Sequence, residues 1–174
     1  IEDLFTQSQA EVEGLTIECR ALDVVPVVQR MVDALAPLAW ASGRVEVVAE
    51  PPTELPAAHA DEARLEQVLA NLLRNAIRHT PPGGIVAVAA WAEPVAVVIE
   101  VRDTGVGMSP EVAAHVFEDF YSTKPTGLGL GLFICRRIVE GYGGRIELES
   151  AEGQGACFTV HLPAERAAEG KTAA

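Results

Sequence analysis

The segment DEARLEQVLANLLRNAIRHTP, residues 61–81, repeats polar side chains every four residues: Gln67, Asn71, Asn75 and His79. On a helix that spacing puts them on one face, while Leu65, Val68, Leu69, Leu72 and Ala76 share another. Taken alone, such a stripe also reads as a solvated face. Asparagine, however, is a poor interior helix former, and two of them here ask for a reason. A neutral carboxamide oxygen suits Mg²⁺ where phosphates already supply negative charge, because that ion prefers one or two protein oxygens plus phosphates and water. Asn75, at mid-stripe, could be such a ligand.

A second group is Asp103-Thr104-Gly105-Val106-Gly107-Met108, directly after an apolar run. Its carboxylate would emerge at a strand end and could accept a hydrogen bond from an exocyclic amine such as that of adenine, with Gly105 and Gly107 letting backbone approach the base. A plain Asp-Gly turn accounts for the same letters. The third group, Thr126-Gly127-Leu128-Gly129-Leu130-Gly131-Leu132, opens a helix. Exposed N–H groups beside a positive helix end make a phosphate site. This is neither GxxxxGK[ST] nor a strand–helix GxGxxG, and a glycine loop alone is weak evidence.

The elements that must position these groups follow from the same pattern. A strand is expected over 16–20, and Asp23 caps a helix that stops at Gly43. A strand over 45–49 and a proline-rich connector, 51–56, lead to Asp61, which opens the asparagine helix. Apolar strands over 85–91 and 95–101 form a central hairpin. Ser109 and Pro110 announce a short helix inside an otherwise mobile loop. A third long helix from about Leu128 to Gly141 and strands over 146–150 and 157–162 complete the chain. Three long helices and about five strands make it α+β.

The 174 residues, 49% hydrophobic, suffice for one core. A formal charge of −12 argues against a nucleic-acid or anionic-membrane surface, so any anionic ligand must be held locally. Cys19, Cys135 and Cys157 lack CxxC spacing and read as buried thiols of a reducing compartment. No run approaches the ~18 apolar residues of a membrane span, so the expected location is cytoplasmic, without direct membrane contact. The start at Ile1 suggests a piece of a longer protein, which could itself be membrane-anchored.

In order along the chain stand the asparagine helix, DTGVGM, VFEDFYSTK with Phe117 and Phe120, and TGLGLGL. This series resembles the ATPase superfamily of histidine kinases, gyrase, Hsp90 and MutL. DEARLEQVLANLLRNAIRHTP is similar to the kinase N box, DTGVGM to the first glycine box, VFEDFYSTK to the phenylalanine box and TGLGLGL to the second glycine box. GGRIELESAEGQGACFTVHLP resembles the closing hairpin of sensor kinases. The resemblance covers roughly residues 20–163, and the FYSTKP form with its short lid looks closest to the nitrogen- and oxygen-sensing branch.

The resemblance implies a two-layer α/β sandwich in which three long helices cover a mixed, mostly antiparallel sheet. It implies ATP and Mg²⁺ as cofactors, with Asn75 on the metal, Asn71 supporting the phosphates, and Arg78 (where Lys is usual) and His79 against the nucleotide. Asp103 would read adenine, with Gly105, Gly107 and Met108 around the base. Lys124 would meet the γ-phosphate, while Thr126, Gly127, Leu128, Gly129, Leu130 and Gly131 supply backbone contacts and hinge freedom. Phe117 and Phe120 would anchor the lid.

Superfamily hydrolases carry a glutamate one turn before the metal asparagine; here that position is Asn71, and an amide cannot accept a proton at neutral pH. A histidine protein kinase of a two-component system is therefore expected, ahead of an ATPase, a non-catalytic nucleotide module or a serine kinase of the anti-sigma type. His59, His79, His115 and His161 all lack the acidic residue and proline that follow a phosphoacceptor. The expected partners are thus ATP, the phosphoacceptor and dimerisation domain of the same kinase, and a response-regulator receiver domain. Residues 1–15 read as the end of the preceding helix or a linker, 16–163 as the catalytic domain and 164–174 as a flexible tail.

Overall fold

A computed structural model describes residues 16–50, 54–119, 121 and 130–165. Seven strands and four helices follow one another as β1 (Arg20–Leu22), α1 (Val24–Gly43), β2 (Glu46–Glu50), β3 (Ala58–Ala60), α2 (Glu62–His79), β4 (Ile85–Glu93), β5 (Ala96–Asp103), α3 (Pro110–His115), α4 (Gly131–Gly141), β6 (Arg145–Ser150) and β7 (Ala156–Pro163).

Five strands form the main sheet in the order β2-β4-β5-β7-β6, antiparallel except for the parallel β2–β4 pair. The expected two-layer arrangement holds. Alternate residues of the central strands, Val86 and Val88, Val97 and Ile99, Phe158 and Val160, join Val28 and Val32 of α1, Leu69 and Leu72 of α2 and Ile138 of α4 in one buried cluster. The period-two alternation of the strands meets the 3.6-residue stripe of each helix there. β5, the middle strand of the sheet, has four consecutive buried residues from Ala96 to Ile99, and its neighbour β7 has two runs of three. That is why the letters of β5 read as a continuous apolar run.

Three of the four described helices start where a side chain satisfies a free N–H group. The Asp23 carboxylate accepts the Val25 N–H at 3.0 Å, Asp61 accepts that of Arg64 at 3.1 Å, and Ser109 caps α3 with Pro110 at its first position. The stop of α1 differs in detail from expectation: Gly43 is still helical, and Arg44 takes the left-handed position at φ 55°. Its guanidinium lies over the Trp40 ring, 5.4 Å from the centroid. By length and composition α1 is apolar enough to cross a membrane, but Val24, Val27, Val28, Val32, Leu35 and Ala39 line the core.

Two strands depart from expectation. The first lies at Arg20–Leu22 rather than over 16–20, because its partner is β3, only three residues long, with Arg20 opposite Ala60 and Leu22 opposite Ala58. β3 itself was not expected; it follows a proline-rich stretch and is too short to show a period. Ala164 continues this corner by bridging to Ala58.

Candidate functional site

Asp103 ends β5 and is 6% exposed. Among the described residues both hydrogen bonds to its carboxylate land on Oδ1, from the N–H of Gly105 at 2.8 Å and of Ala156 at 3.3 Å. Burial pushes this carboxyl above the ordinary aspartate range, against the pull of those two N–H groups and of nearby His79. One oxygen of this buried carboxylate is committed to protein, while the other accepts no hydrogen bond among the described residues, which leaves it able to accept one from a ligand.

The loop after Asp103 is fastened backbone to backbone. The Val106 N–H donates to the His79 carbonyl at 3.2 Å, and the Gly153 N–H to the Val106 carbonyl at 2.7 Å. The Met108 N–H donates to Ser150 Oγ at 3.0 Å, whose hydroxyl in turn donates to the Gly155 carbonyl at 2.7 Å. These contacts leave no room for side chains. A Cβ at Gly105 would meet the His79 carbonyl oxygen at 2.5 Å, one at Gly107 (φ +67°) would collide with the Ala151 carbonyl, and one at Gly155 (φ +74°) with the Asp103 carbonyl. The need for glycine at 105 and 107 therefore comes from protein backbone occupying the Cβ direction.

Gly155 and Ala156 were not among the expected site residues, although they hold Asp103 in place. The glycine pair Gly153 and Gly155 in the turn between β6 and β7 was the available signal. It could not be tied to Asp103 without the β5–β7 pairing, which sets Arg102 opposite Cys157.

The stripe on α2 is as expected: Leu65, Val68, Leu69, Leu72 and Ala76 are buried, while Asn71 and Asn75 are half-buried and Arg78 and His79 exposed in the last turn. Asn71 reaches across to α4, its Nδ2 donating to the Gly131 carbonyl at 3.5 Å. Its side chain also meets Cys135 of α4, whose thiol burial pushes up to about 12. Leu130 precedes α4 and is buried, and among the described residues no side chain caps this helix and no atom lies within 4 Å of where a Gly131 side chain would be. Among the described residues no side chain claims the first N–H groups of α4, the kind of helix start that can take an anion.

The structure brings Asp103, Gly105, the end of α2, Asn71 and the start of α4 together around one helix. Lys124, Thr126, Gly127, Leu128, Gly129 and Phe120 lie outside the described residues. Phe117 packs edge-on against Phe158 with centroids 6.1 Å apart, an anchor rather than a base-stacking ring. All three cysteines are unpaired; Cys135 and Cys157 are buried, while Cys19 is only partly so.

Comparison with known proteins shows the family. Residues 60–166 match the family of histidine kinase-, DNA gyrase B- and HSP90-like ATPases, and the chain belongs to that family. It is 34% identical over 171 residues to the adaptive-response sensory kinase SasA of Synechococcus elongatus, covering 95% of this chain and 44% of that protein. It is 39% identical over 109 residues to the sensor protein SrrB of Staphylococcus aureus, covering 59% of this chain and 19% of that one.

Among solved structures, full-length ShkA in complex with AMPPNP superposes with a TM-score of 0.80 at 30% identity, over 92% of this chain and 35% of ShkA. The catalytic domain of the histidine kinase ThkA does so with a TM-score of 0.75 at 28% identity, over 84% of this chain and 96% of that domain. The chain is thus a histidine-kinase catalytic domain, homologous to sensor kinases. It spans less than half the length of the curated relatives it matches.

Proposed function

We propose that this chain binds Mg-ATP between the end of β5 and the start of α4. It then donates the γ-phosphate to a histidine on a separate acceptor helical domain of the same two-component sensor kinase. That domain passes the phosphate to an aspartate of a response-regulator receiver domain. The observation that carries the reading is the buried Asp103 carboxylate, with its second oxygen uncommitted among the described residues.

Asp103 Oδ2 would accept the adenine amine, and the start of α4 at Leu130 and Gly131 would face the phosphates. Lys124 and residues 126–129 would close over them. Asn75 would hold Mg²⁺, with Asn71, Arg78 and His79 alongside. Half-buried carboxamides fit that ion, which takes most of its ligands from phosphate and water and needs no cage of carboxylates. When bound, Mg²⁺ would neutralise charge on the β- and γ-phosphates. Asn71 already bridges the metal helix to α4 through Gly131, which supports a fixed spacing between metal and phosphates. Having no basic oxygen to take a proton from water, Asn71 also favours transfer over hydrolysis.

In the same reading, residues 1–15 are the end of the acceptor helix or a linker, 164–174 are a tail, and the domain works on the cytoplasmic side of its parent. Nucleic acid is not a partner.

Incubating the chain with γ-labelled ATP and a separately made acceptor domain tests this. The expected result is label on the acceptor histidine, none on the chain itself, and slow phosphate release. Rapid release without an acceptor would instead make the chain a hydrolase.

A further inference from the structure

At the end of the molecule away from the proposed nucleotide site, the chain enters the fold through residues 17–20 and lands on the starting end of α2. The Asp61 carboxylate is divided there: Oδ1 caps α2 through the Arg64 N–H at 3.1 Å, and Oδ2 accepts the Glu18 N–H at 2.9 Å. The Asp61 carbonyl accepts the hydroxyl of Tyr142, 3.0 Å away and almost fully buried at the end of α4. A Cβ at Gly141, in the last turn of α4, would collide with Ile17. Around this point Arg20 pairs with Glu62 at 3.0 Å, and Arg30 of α1 pairs with Glu62 at 2.6 Å and Glu66 at 2.7 Å.

Among the described residues, helices α2 and α4 are tied at three places: Asn71 to Gly131 at the proposed phosphate end, the Cys135 thiol to the Val68 carbonyl at 3.8 Å midway, and Tyr142 to Asp61 at the entry end. Ten residues separate Asp61 from Asn71, about 15 Å of helix.

We propose that Asp61 is a positioning residue: by latching the entering chain to α2, it sets the angle at which the acceptor domain is presented to the nucleotide held by α2 and α4. This rests on the functional reading above. The latch is made between main-chain N–H and carboxylate, so it fixes the path of the backbone rather than one side chain. Burial raises the Asp61 carboxyl, but the N–H groups of Glu18, Arg64 and Ala63 more than offset that and hold it below the ordinary range. The exposed Arg–Glu pairs around it contribute less, being screened by water.

Asp61→Asn separates the two uses of the carboxylate. Asparagine is an equally good helix cap, but its Nδ2 confronts the Glu18 N–H and cannot accept from it. Exchange of the Glu18 amide should rise about tenfold or more. The Kd for Mg-ATP should stay within about twofold, because Asn71 and Asn75 are untouched. With acceptor and catalytic domain in one polypeptide, kcat for phosphorylation should fall about tenfold at unchanged KM. With the acceptor supplied as a separate polypeptide, where the entry path constrains nothing, the rate should be that of the wild type.

Glu18→Pro removes the donor instead of the acceptor and should give the same split, with the double variant no worse than the stronger single one. An unchanged kcat in the joined polypeptide, despite a freely exchanging Glu18 amide, would overturn the proposal; so would a weakened Kd for ATP. Failure of the wild type to label the acceptor either way would strike at the functional reading instead.

Discussion

Glycines near the end of β5 and at the start of α4 sit in opposite surroundings. Around the end of β5, Gly105 and Gly107 of the following loop and Gly155 of the β6–β7 turn are jammed: the space of each missing side chain is filled by the carbonyl of His79, Ala151 or Asp103. At the start of α4, no described atom lies within 4 Å of where a Gly131 side chain would be. The proposed base end is a clamp of backbone on backbone around a buried carboxylate. The proposed phosphate end is a helix start that no side chain caps among the described residues. In that reading a fixed acceptor would read the base, and a looser end would let product leave.

The largest expected effect falls on the clamp. Gly107→Ala combines a left-handed φ with a backbone collision and should cost about 3 kcal/mol or more, read from chemical denaturation. Asn75→Ala should leave the melting temperature close to wild type but weaken ATP binding roughly tenfold when Mg²⁺ is present, and hardly at all when it is chelated. An equal loss in both conditions would remove Asn75 from the metal.

Asp103 gives the clamp a pH signature. Its folded carboxyl is raised by burial, so it binds its proton more tightly folded than unfolded. Its contribution to stability is present below the unfolded value and is lost as pH rises through the folded one. Asp103→Asn should therefore cost no stability at neutral pH. Nucleotide binding runs the other way, since Oδ2 must be ionised to accept from the base. ATP affinity should fall on acidification, starting at a higher pH than an ordinary aspartate would give, and Asp103→Asn should abolish that step in a calorimetric pH series.

The smallest effect belongs to the proposed phosphate end. Gly131→Ala relieves the entropic cost of glycine in a helix and should stabilise the fold by up to about 1 kcal/mol, with ATP affinity changed less than about threefold. A large loss of stability there would contradict the contrast between the two ends.

The helices and the central hairpin were legible because their periods are long and their caps, Asp23, Asp61 and Ser109, are strong local signals. Asn71, Asn75 and Asp103 stood out because polar residues interrupt apolar patterns where packing has no use for them. What holds Asp103 was not legible: Gly155 and Ala156 come to it only through a strand pairing more than fifty residues away in sequence. β3 and the parallel contact of β2 with β4 were hidden for a related reason, since neither a three-residue strand nor a choice of neighbour leaves a periodic trace. The chemistry of Asp61 was half visible: its cap could be read locally, its latch to Glu18 only from the fold.

The proposed nucleotide site centres on Asp103 as the reader of adenine. Measuring Kd for Mg-ATP and Mg-GTP on the wild type and on Asp103→Asn tests this directly. A carboxylate accepts from the adenine amine but repels the guanine carbonyl, so the wild type should prefer ATP by roughly tenfold or more. Asparagine, able to donate to that carbonyl, should narrow or reverse the preference. If the variant kept both the affinity and the ATP-to-GTP ratio of the wild type, Asp103 would not be reading the base.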